Sequence, residues 1–347
     1  MKVLVTGAGG LVGSSVVTWF SARGHQVVGI ENNTRARLFG AGGDIGRRLC
    51  QLVDDCPQLR VAEWDLQDGA WLGRLCGEER FNVIVHCAAQ PSHDYAGKHP
   101  AVDFGLNVVA THNLLEAARV SCLDAPFVFL STNKVYGEFP NTLSLVESEL
   151  RYDLADSRFP FGIPESAPID QIGKTVFGAH KAAADLMVQE YGRYYGMPTV
   201  CLRAGCLTGA SHAGVELHGF LNYLIRCAAA GDPYTVYGYK GKQVRDNLAA
   251  DDLTELIGLI AANPRVGSVY NVGGGAANSL SVLEALKYAE EWLGFSPRWR
   301  YSDEHRWGDH IWYVSDLRRV QADYREWEPA TDLQTIFRQI ADGFART

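Results

Sequence analysis

Short apolar runs rich in β-branched residues alternate with segments of helical periodicity through the first half of the chain. This alternation is typical of a parallel sheet whose strands are joined by crossover helices. The predicted strands are Lys2–Thr6, Gln26–Glu31, Arg60–Glu63, Val83–His86, Phe127–Ser131 and Thr199–Arg203. The predicted crossover helices are Leu11–Arg23, Phe104–Arg119 and Lys174–Tyr195. We therefore expect an α/β fold with helices on both faces of a parallel sheet.

The pattern changes in two places. The connection Thr34–Leu59 is longer than usual, and we interpret it as an insertion with a helix at Asp44–Val53. Beyond a small-residue loop at Gly205–Gly214, the strand-helix repeats stop. The elements predicted there are helices at Gly219–Ala230, Asp252–Ala262 and Ser281–Leu293 and a strand at Val269–Val272. The predicted domains are residues 1–204, with segments near 241–274 returning to them, and a smaller cap from 205–240 and 275–347.

Three glycines stand three residues apart after the first strand, at Gly7, Gly10 and Gly13. In a strand-turn-helix setting, the first allows a tight turn, the second lets the backbone approach a pyrophosphate, and the third lets helix and strand pack closely. The helix N-terminus, at Leu11 and Val12, would offer backbone N–H groups to the phosphates. The motif predicts a Rossmann-type dinucleotide site.

The second predicted strand ends at Glu31, 18 residues beyond Gly13, and Asn32 follows it. A carboxylate at this place accepts hydrogen bonds from the adenosine ribose and repels the 2′-phosphate of NADP. The sequence therefore favours NAD. Arg35 and Arg37 lie just downstream and leave a phosphate-binding alternative open.

Composition limits the class of protein. The chain has 347 residues, 47% of them hydrophobic, and a formal net charge of −8. An acidic balance argues against nucleic-acid binding, and no apolar run has the roughly 18 residues of a membrane span. The eight cysteines form no Cys-x-x-Cys pair, so we interpret them as free thiols and expect no zinc site. We predict a cytoplasmic protein.

Further motifs resemble those of the extended short-chain dehydrogenase/reductases. By this resemblance Asp65 and Leu66 contact adenine, Ala88 and Ala89 pass beside the dinucleotide, and Asn107 stabilises the central sheet. The segment Ser131–Gly137 resembles the fifth-strand motif of that family and makes Thr132 the catalytic hydroxyl residue.

Within that family, the likeness is strongest to CDP-paratose 2-epimerases. It is carried by the segments Ser131–Gly137, Gly241–Asp246, Tyr270–Gly274 and Arg306–His310. Dehydratases of the family place an Asp-Glu pair after the threonine. This chain has Asn133 and Lys134 there, which counts against dehydration.

One residue departs from the pattern. The family's catalytic helix carries Tyr-x-x-x-Lys, in which lysine holds the nicotinamide ribose and tyrosine takes the hydroxyl proton. The corresponding run places Phe177 before Lys181, and a phenyl ring cannot accept a proton. Candidate replacement groups are His93, Asp94 and Cys206, with His180 ranked lower because a helical neighbour points about 100° away from Lys181.

The resemblance also implies substrate contacts. Arg245 and Arg306 correspond to the phosphate-binding arginines, and Asp309 to a contact of the nucleotide ribose. Gln90, Asn133 and Lys134 are further expected substrate contacts, and Lys242 and Gln243 are weaker ones. The histidines and glutamate at 212, 216 and 218 have no clear further ligand, so we predict no metal.

We therefore expect an NAD-dependent nucleotide-sugar epimerase that acts on a CDP-linked or other NDP-linked hexose. The ring carbinol would be oxidised transiently, and hydride would return to the opposite face. Two alternatives stay open: an NDP-sugar oxidoreductase or dehydratase with a different base, and a catalytically silent NDP-sugar or NAD-binding relative. A homodimer is expected by resemblance alone.

Overall fold

The computed structural model describes residues 1–210 and 219–345. The helices are α1 Leu11–Ala22, α2 Thr34–Phe39, α3 Gly46–Asp55, α4 Gly69–Glu79, α5 His93–Lys98, α6 Pro100–Phe104, α7 Ala110–Ser121, α8 Val176–Tyr195, α9 Phe220–Ala230, α10 Ala250–Ala262, α11 Val282–Leu293, α12 Arg318–Asp323 and α13 Leu333–Ala345. The strands are β1 Lys2–Thr6, β2 Gln26–Ile30, β3 Leu59–Ala62, β4 Val83–His86, β5 Phe127–Thr132, β6 Leu145–Glu147, β7 Tyr152–Leu154, β8 Thr199–Ala204, β9 Cys206–Thr208, β10 Tyr234–Tyr237, β11 Val244–Ala249, β12 Ser268–Val272, β13 Ser279–Ser281, β14 Trp299–Ser302 and β15 Trp312–Tyr313.

The largest sheet has seven strands in the order β12-β8-β5-β4-β1-β2-β3, and the predicted α/β fold is confirmed. All six strands predicted in the first half are present within one residue at each end. Strand β1 pairs in parallel with β2 on one side and with β4 on the other. The chain therefore reverses its direction of winding between β1 and β4, and ligands of open α/β sheets bind at such a switch point.

The sheet strands are buried because helices cover them. Strands β4 and β8 consist of buried residues throughout, as parallel strands with both faces covered must. The core includes Leu4, Ile84 and Phe127 from the strands and Leu72 and Leu114 from the helices.

One predicted helix differs from the structure. The segment predicted as a single helix over Phe104–Arg119 begins at Pro100 as α6, passes through a π-helical turn at Gly105–Val109 and continues as α7. A prediction from periodicity at 3.6 residues per turn cannot detect a single π-helical turn within a longer helix. Such π turns occur frequently at functional sites.

Two compact units make up the described chain. Unit 1 comprises residues 1–135, 176–203 and 253–270, and unit 2 comprises the remaining described residues. Residues 136–175 therefore cluster with unit 2, whereas the sequence grouped them with the first domain. Unit 2 contains its own core of side chains from α9, α11 and α13, and small sheets built around β11 and β10. Among the described residues, no helix combines the length and apolar composition needed to cross a bilayer.

His86 at the end of β4 makes the stability of unit 1 sensitive to acid. Its ring is buried, with Nδ1 2.7 Å from Thr6 Oγ1 and Nε2 3.0 Å from Thr111 Oγ1. Burial, with a smaller contribution from the Lys181 charge, lowers the pKa of His86 to about 3. An unfolded histidine titrates near 6.5, so below that pH the unfolded chain binds the additional proton. Stability is thus expected to fall with decreasing pH.

We predict that the free energy of unfolding in urea decreases by about 2 kcal/mol between pH 6.5 and pH 5 through this group alone. His86→Gln should flatten that part of the decline. A variant of the exposed His99, such as His99→Gln, should retain it. An equal decline in the His86 variant would assign the acid sensitivity to other groups.

Candidate active site

In the loop between β1 and α1, only glycine fits at positions 7 and 13, because any Cβ there would collide with the backbone. Gly7 has φ +66°, and a Cβ there would lie 2.9 Å from the Cα of Ala88. A Cβ on Gly13 would lie 2.0 Å from the Gly7 carbonyl oxygen. The Gly10 N–H closes the turn by donating to that same oxygen at 3.0 Å. The loop therefore lies against the end of β4 with a helix N-terminus beside it, as a pyrophosphate cradle requires.

Glu31 is held beside this loop by backbone hydrogen bonds. Its Oε2 accepts from the Gly9 N–H at 3.2 Å, and its Oε1 accepts from the Asn32 and Asn33 N–H groups at 3.0 Å each. The structure thus brings the predicted ribose-binding acid to the predicted phosphate loop. Asn32 turns its own Oδ1 toward Thr34.

The insertion after β2 packs on the same loop. The Ile45 side chain occupies the space where a Cβ on Gly9 would be, and Arg48 from α3 donates to Ser14 Oγ in α1. The predicted insertion helix is confirmed as α3, two residues later than expected. Arg35 lies over the Phe39 ring at 5.2 Å, and Arg37 donates to Thr34 Oγ1. These contacts of Arg35 and Arg37 are with the insertion itself.

Residues after β3 and β4 complete the cofactor side of unit 1. Asp65 is half-buried and its Oδ1 accepts from the Gln67 N–H at 2.9 Å, while Leu66 is buried. Ala89 is exposed beyond Ala88, which contacts the glycine loop. The predicted cofactor contacts thus lie beyond the carboxyl ends of β3 and β4, which flank β1 and β2 in the sheet.

A buried polar network anchors the segment that follows. Asn107, in the π turn, donates to the Gln90 carbonyl oxygen at 3.1 Å and accepts from the Gln90 N–H at 3.2 Å. The Gln90 side chain donates to Ser92 O and to Asp103 Oδ1, both at 2.7 Å. The Gln90 side chain, predicted to contact substrate, is therefore 1% exposed and bonded to protein groups.

The same network reaches a histidine that the sequence ranked low. Asp103 is fully buried, and its Oδ2 lies 2.6 Å from His180 Nδ1. Its Oδ1 also accepts from Asn107 Nδ2 at 2.8 Å. The His180 side chain is 19% exposed, and the Phe104 ring packs edge-on against it. Asp103 was not predicted, because nothing in the local sequence reveals a partner 77 residues away.

Lys181 lies beneath the end of β5. Its ammonium donates to the Leu130 carbonyl oxygen at 2.7 Å and lies 4.2 Å from the centre of the Phe129 ring. Burial lowers the pKa of Lys181 to about 8, against the opposing charges of Asp185, Cys201, Asp103 and Cys87. The ribose contact expected of this lysine stays a prediction.

Thr132 ends β5, where its hydroxyl is half-buried and accepts from the Lys134 N–H at 3.3 Å. Asn133 is buried and lies 3.5 Å from that hydroxyl through its Oδ1. Phe177 is 6% exposed on α8. His93 and Asp94 begin α5, with His93 Nε2 3.9 Å from Asp94 Oδ2. The substitution of phenylalanine therefore leaves a buried phenyl ring in the helix that carries Lys181.

Both predicted phosphate-binding arginines lie in unit 2. Arg245 lies on β11, and Arg306 NH1 is 3.9 Å from Asp309 Oδ2. Burial raises the pKa of Tyr239, an effect that the Asp309 carboxylate increases and the Arg245 charge opposes. Burial likewise raises the pKa of Tyr234, where Arg306 opposes the shift. The Asp309 carboxylate thus raises the pKa of both tyrosines, whereas Arg245 acts on Tyr239 and Arg306 on Tyr234.

Cys206 lies on β9, paired with Asn247 of β11, two residues along that strand from Arg245. In the described parts of the chain, no group of three or more His, Cys, Asp or Glu side chains is arranged to hold a metal. His212, Glu216 and His218 lie outside the described residues. All eight cysteines are free thiols.

Comparison with known proteins connects this geometry to a family. The model of the NAD dependent epimerase/dehydratase family matches residues 3–273. The chain belongs to that family. The match runs from the glycine loop to the end of β12 and so includes every residue that we assign to the dinucleotide side of this epimerase/dehydratase. The resemblance to extended short-chain dehydrogenase/reductases is thereby confirmed.

Individual relatives support the same conclusion. The chain is 29% identical to the CDP-paratose 2-epimerase of Salmonella typhi, over 99% of this chain and 98% of that protein. It is 31% identical to a dTDP-glucose 4,6-dehydratase of Xanthomonas campestris, over 82% and 74% of the two chains. The UDP-glucose 4-epimerase of Thermus thermophilus in complex with NAD is similar in structure, with a TM-score of 0.77, 27% identity and 99% of both chains covered.

Proposed function

We propose that this chain is an NAD-dependent nucleotide-sugar epimerase acting on a CDP-linked or other NDP-linked hexose. The observation that carries the proposal is the cradle formed by Gly7, Gly13 and Glu31. The backbone leaves no room for a Cβ at either glycine, and the loop leads into the N-terminus of α1. This cradle fits a dinucleotide pyrophosphate, with Glu31 placed for the ribose hydroxyls of NAD. Ile45 and Arg48 cover the loop from the insertion.

The chemistry that bound NAD supplies is reversible hydride transfer with a ring carbon of the sugar. Thr132 would hydrogen-bond the reacting hydroxyl, and Lys181 would fix the nicotinamide ribose through its ammonium. In unit 2, Arg245 and Arg306 would bind the diphosphate and Asp309 the nucleotide ribose. The keto sugar would then turn in the site and accept hydride on its opposite face, which inverts the ring carbon without net redox change.

Two features favour epimerisation over dehydration. Asn133 and Lys134 stand where dehydratases place an acidic pair, so the chain lacks that acid for removing a sugar hydroxyl. The full-length similarity to a CDP-paratose 2-epimerase points to C2 of a CDP-linked hexose.

The proton of the reacting hydroxyl needs an acceptor other than Phe177. We propose His180 for this role. It follows Phe177 by three residues, so the two side chains are neighbours on one face of α8. Its Nδ1 is engaged by the buried Asp103 carboxylate at 2.6 Å, which fixes the ring and leaves Nε2 as the nitrogen for proton transfer. His93, Asp94 and Cys206 are the rivals.

The experiment is to purify the protein, measure bound NAD and supply CDP-, UDP-, GDP- and dTDP-linked hexoses. We expect bound NAD, an isomeric product and no accumulated NADH. NADH formed in proportion to substrate would instead indicate an oxidoreductase, and loss of water from the sugar a dehydratase. Binding of NAD and nucleotide sugar without product would indicate a catalytically silent relative. Phenylalanine in place of the catalytic tyrosine is the reason to test this alternative.

Removal of a phosphate-binding arginine gives a test of the substrate side. We predict that Arg245→Ala raises KM for the nucleotide sugar about 10- to 100-fold and changes kcat less, because a charge-assisted hydrogen bond contributes about 1.5–3 kcal/mol. Arg298→Ala, at an exposed arginine of unit 2, is the matched control and should leave KM unchanged. An unchanged KM in Arg245→Ala would remove this residue from the site.

The homodimer and the cytoplasmic location stay predictions. Gel filtration with light scattering would test the first of them.

A further inference from the structure

The insertion after β2 is anchored to the cofactor side of unit 1 where it begins. The Asn33 N–H donates to Glu31 Oε1 at 3.0 Å, and the Asn33 side chain donates through Nδ2 to Asp44 Oδ1 at 2.7 Å. The same Asp44 oxygen accepts from the N–H of Gly46, the first residue of α3, at 2.8 Å. The hydrogen bonds that hold the predicted ribose-binding acid therefore also fix the start of α3.

From this anchor, α3 presents an apolar and a cationic side chain to the glycine loop and α1. Ile45 and Arg48 are three residues apart and so lie on one face of the helix. Ile45 is buried, and a Cβ on Gly9 would lie 2.5 Å from its Cδ1. The Arg48 guanidinium donates to Ser14 Oγ in α1. Arg47, the adjacent residue of α3, is exposed. Of these two arginines, Arg48 is the one that contacts α1 through Ser14.

Ser14 places this guanidinium beside the first turn of α1. Its side chain is buried, and its hydroxyl donates to the carbonyl oxygen of Gly10, the N-cap residue of the helix, at 2.7 Å. Side chains of a helix lean toward its N-terminus, so Ser14 Oγ and the guanidinium bonded to it lie on that side. The N–H groups of the same turn are the ones that a pyrophosphate accepts from at a Rossmann-type glycine loop.

We propose that Arg48 is a cofactor-binding residue whose positive charge stabilises the pyrophosphate of bound NAD. The pyrophosphate is a dianion, whereas the N-terminus of a helix supplies roughly half of one elementary charge. A guanidinium beside the first turn of α1 adds a full positive charge there, and Ile45 closes the loop from the same face of α3. This inference rests on the placement of the dinucleotide at the glycine loop, which is also the basis of the proposed function.

The test is the affinity of the intact chain for NAD, ADP-ribose and adenosine, measured by calorimetry and, for adenosine, by displacement of NAD. Arg48→Met keeps an apolar stem and removes the charge. It should raise the dissociation constants of NAD and ADP-ribose about 10-fold, since both contain the pyrophosphate. Adenosine has no phosphate, so its affinity should be unchanged. Arg48→Lys restores the charge and should bind NAD more tightly than Arg48→Met does.

Arg47→Met is the matched control, because it removes the same charge from the neighbouring, exposed position of α3. It should bind NAD as the wild type does. The proposal is overturned if the two methionine variants bind NAD equally well. It is also overturned if Arg48→Met loses affinity for adenosine and NAD in the same proportion, which would assign Arg48 to packing of the insertion. Both results leave the proposed function standing, whereas a wild-type chain that binds no NAD would contradict both proposals.

Discussion

Replacement of Gly13 by alanine is expected to abolish retention of NAD during purification. A Cβ at this position would lie 2.0 Å from the Gly7 carbonyl oxygen and 2.8 Å from the Gly7 carbonyl carbon. Backbone atoms cannot rotate away as a side chain can, so the loop itself must shift. Overpacking of this kind costs about 1–3 kcal/mol, which corresponds to a loss of up to about 100-fold in NAD affinity when the shift distorts the cradle.

The measurement is NAD binding by isothermal calorimetry, with far-UV circular dichroism to show that the variant folds. Gly73→Ala is the matched control, since Gly73 lies in α4 with open space around its Cβ position. That control should bind NAD normally and gain about 1 kcal/mol in stability from helix propensity. A folded Gly13→Ala protein with unchanged NAD affinity would contradict the placement of the dinucleotide on this loop.

The sequence predicted the sheet well because its strands carry their own signal. A strand buried on both faces, such as β4 or β8, must be apolar along its whole length, and crossover helices separate it from the next. The glycine loop was likewise predictable, since tight turns and close backbone approach restrict the residue type at Gly7 and Gly13 wherever they occur.

Unit 2 was less predictable. Its strands β9, β13 and β15 have two or three residues each and pair across long stretches of sequence. Such short segments carry no period that can be recognised, and their pairing is determined by tertiary packing. The pairing of Cys206 with Asn247, which brings β9 beside Arg245, therefore required the structure.

The polar network that includes His180 of α8 also depends on tertiary packing, which the sequence does not reveal. Asn107 was identified by resemblance, but the Asp103–His180 contact depends on how α6 packs against α8. On sequence alone, His180 appeared to point away from Lys181, which is correct for a single helix. The structure shows that the His180 ring instead contacts the fully buried Asp103 carboxylate.

This arrangement predicts that His180→Gln lowers kcat by about 10²- to 10⁴-fold, the usual contribution of a general base. KM for the nucleotide sugar should change little, because the imidazole would act on the proton and not on the diphosphate. Steady-state kinetics with the best nucleotide sugar provide the measurement.

Asp103→Asn distinguishes orientation of the imidazole from mere packing. The amide keeps the volume of the carboxylate but removes its charge, so the ring loses the partner that fixes its tautomer. A large decrease in kcat with unchanged NAD binding is expected. His99→Gln, at an exposed histidine of unit 1, should retain full activity.

Three variants decide between His180 and its rivals. If His93→Ala, Asp94→Asn or Cys206→Ser loses activity as strongly while His180→Gln retains it, the proton acceptor is the residue so identified. Phe177→Tyr gives the converse test. Around an established His180–Asp103 pair, a new phenol adds an unneeded polar group in a buried position and should lower activity. If tyrosine instead raises activity, and His180→Gln leaves activity unchanged in the chain that retains Phe177, the histidine does not carry the proton.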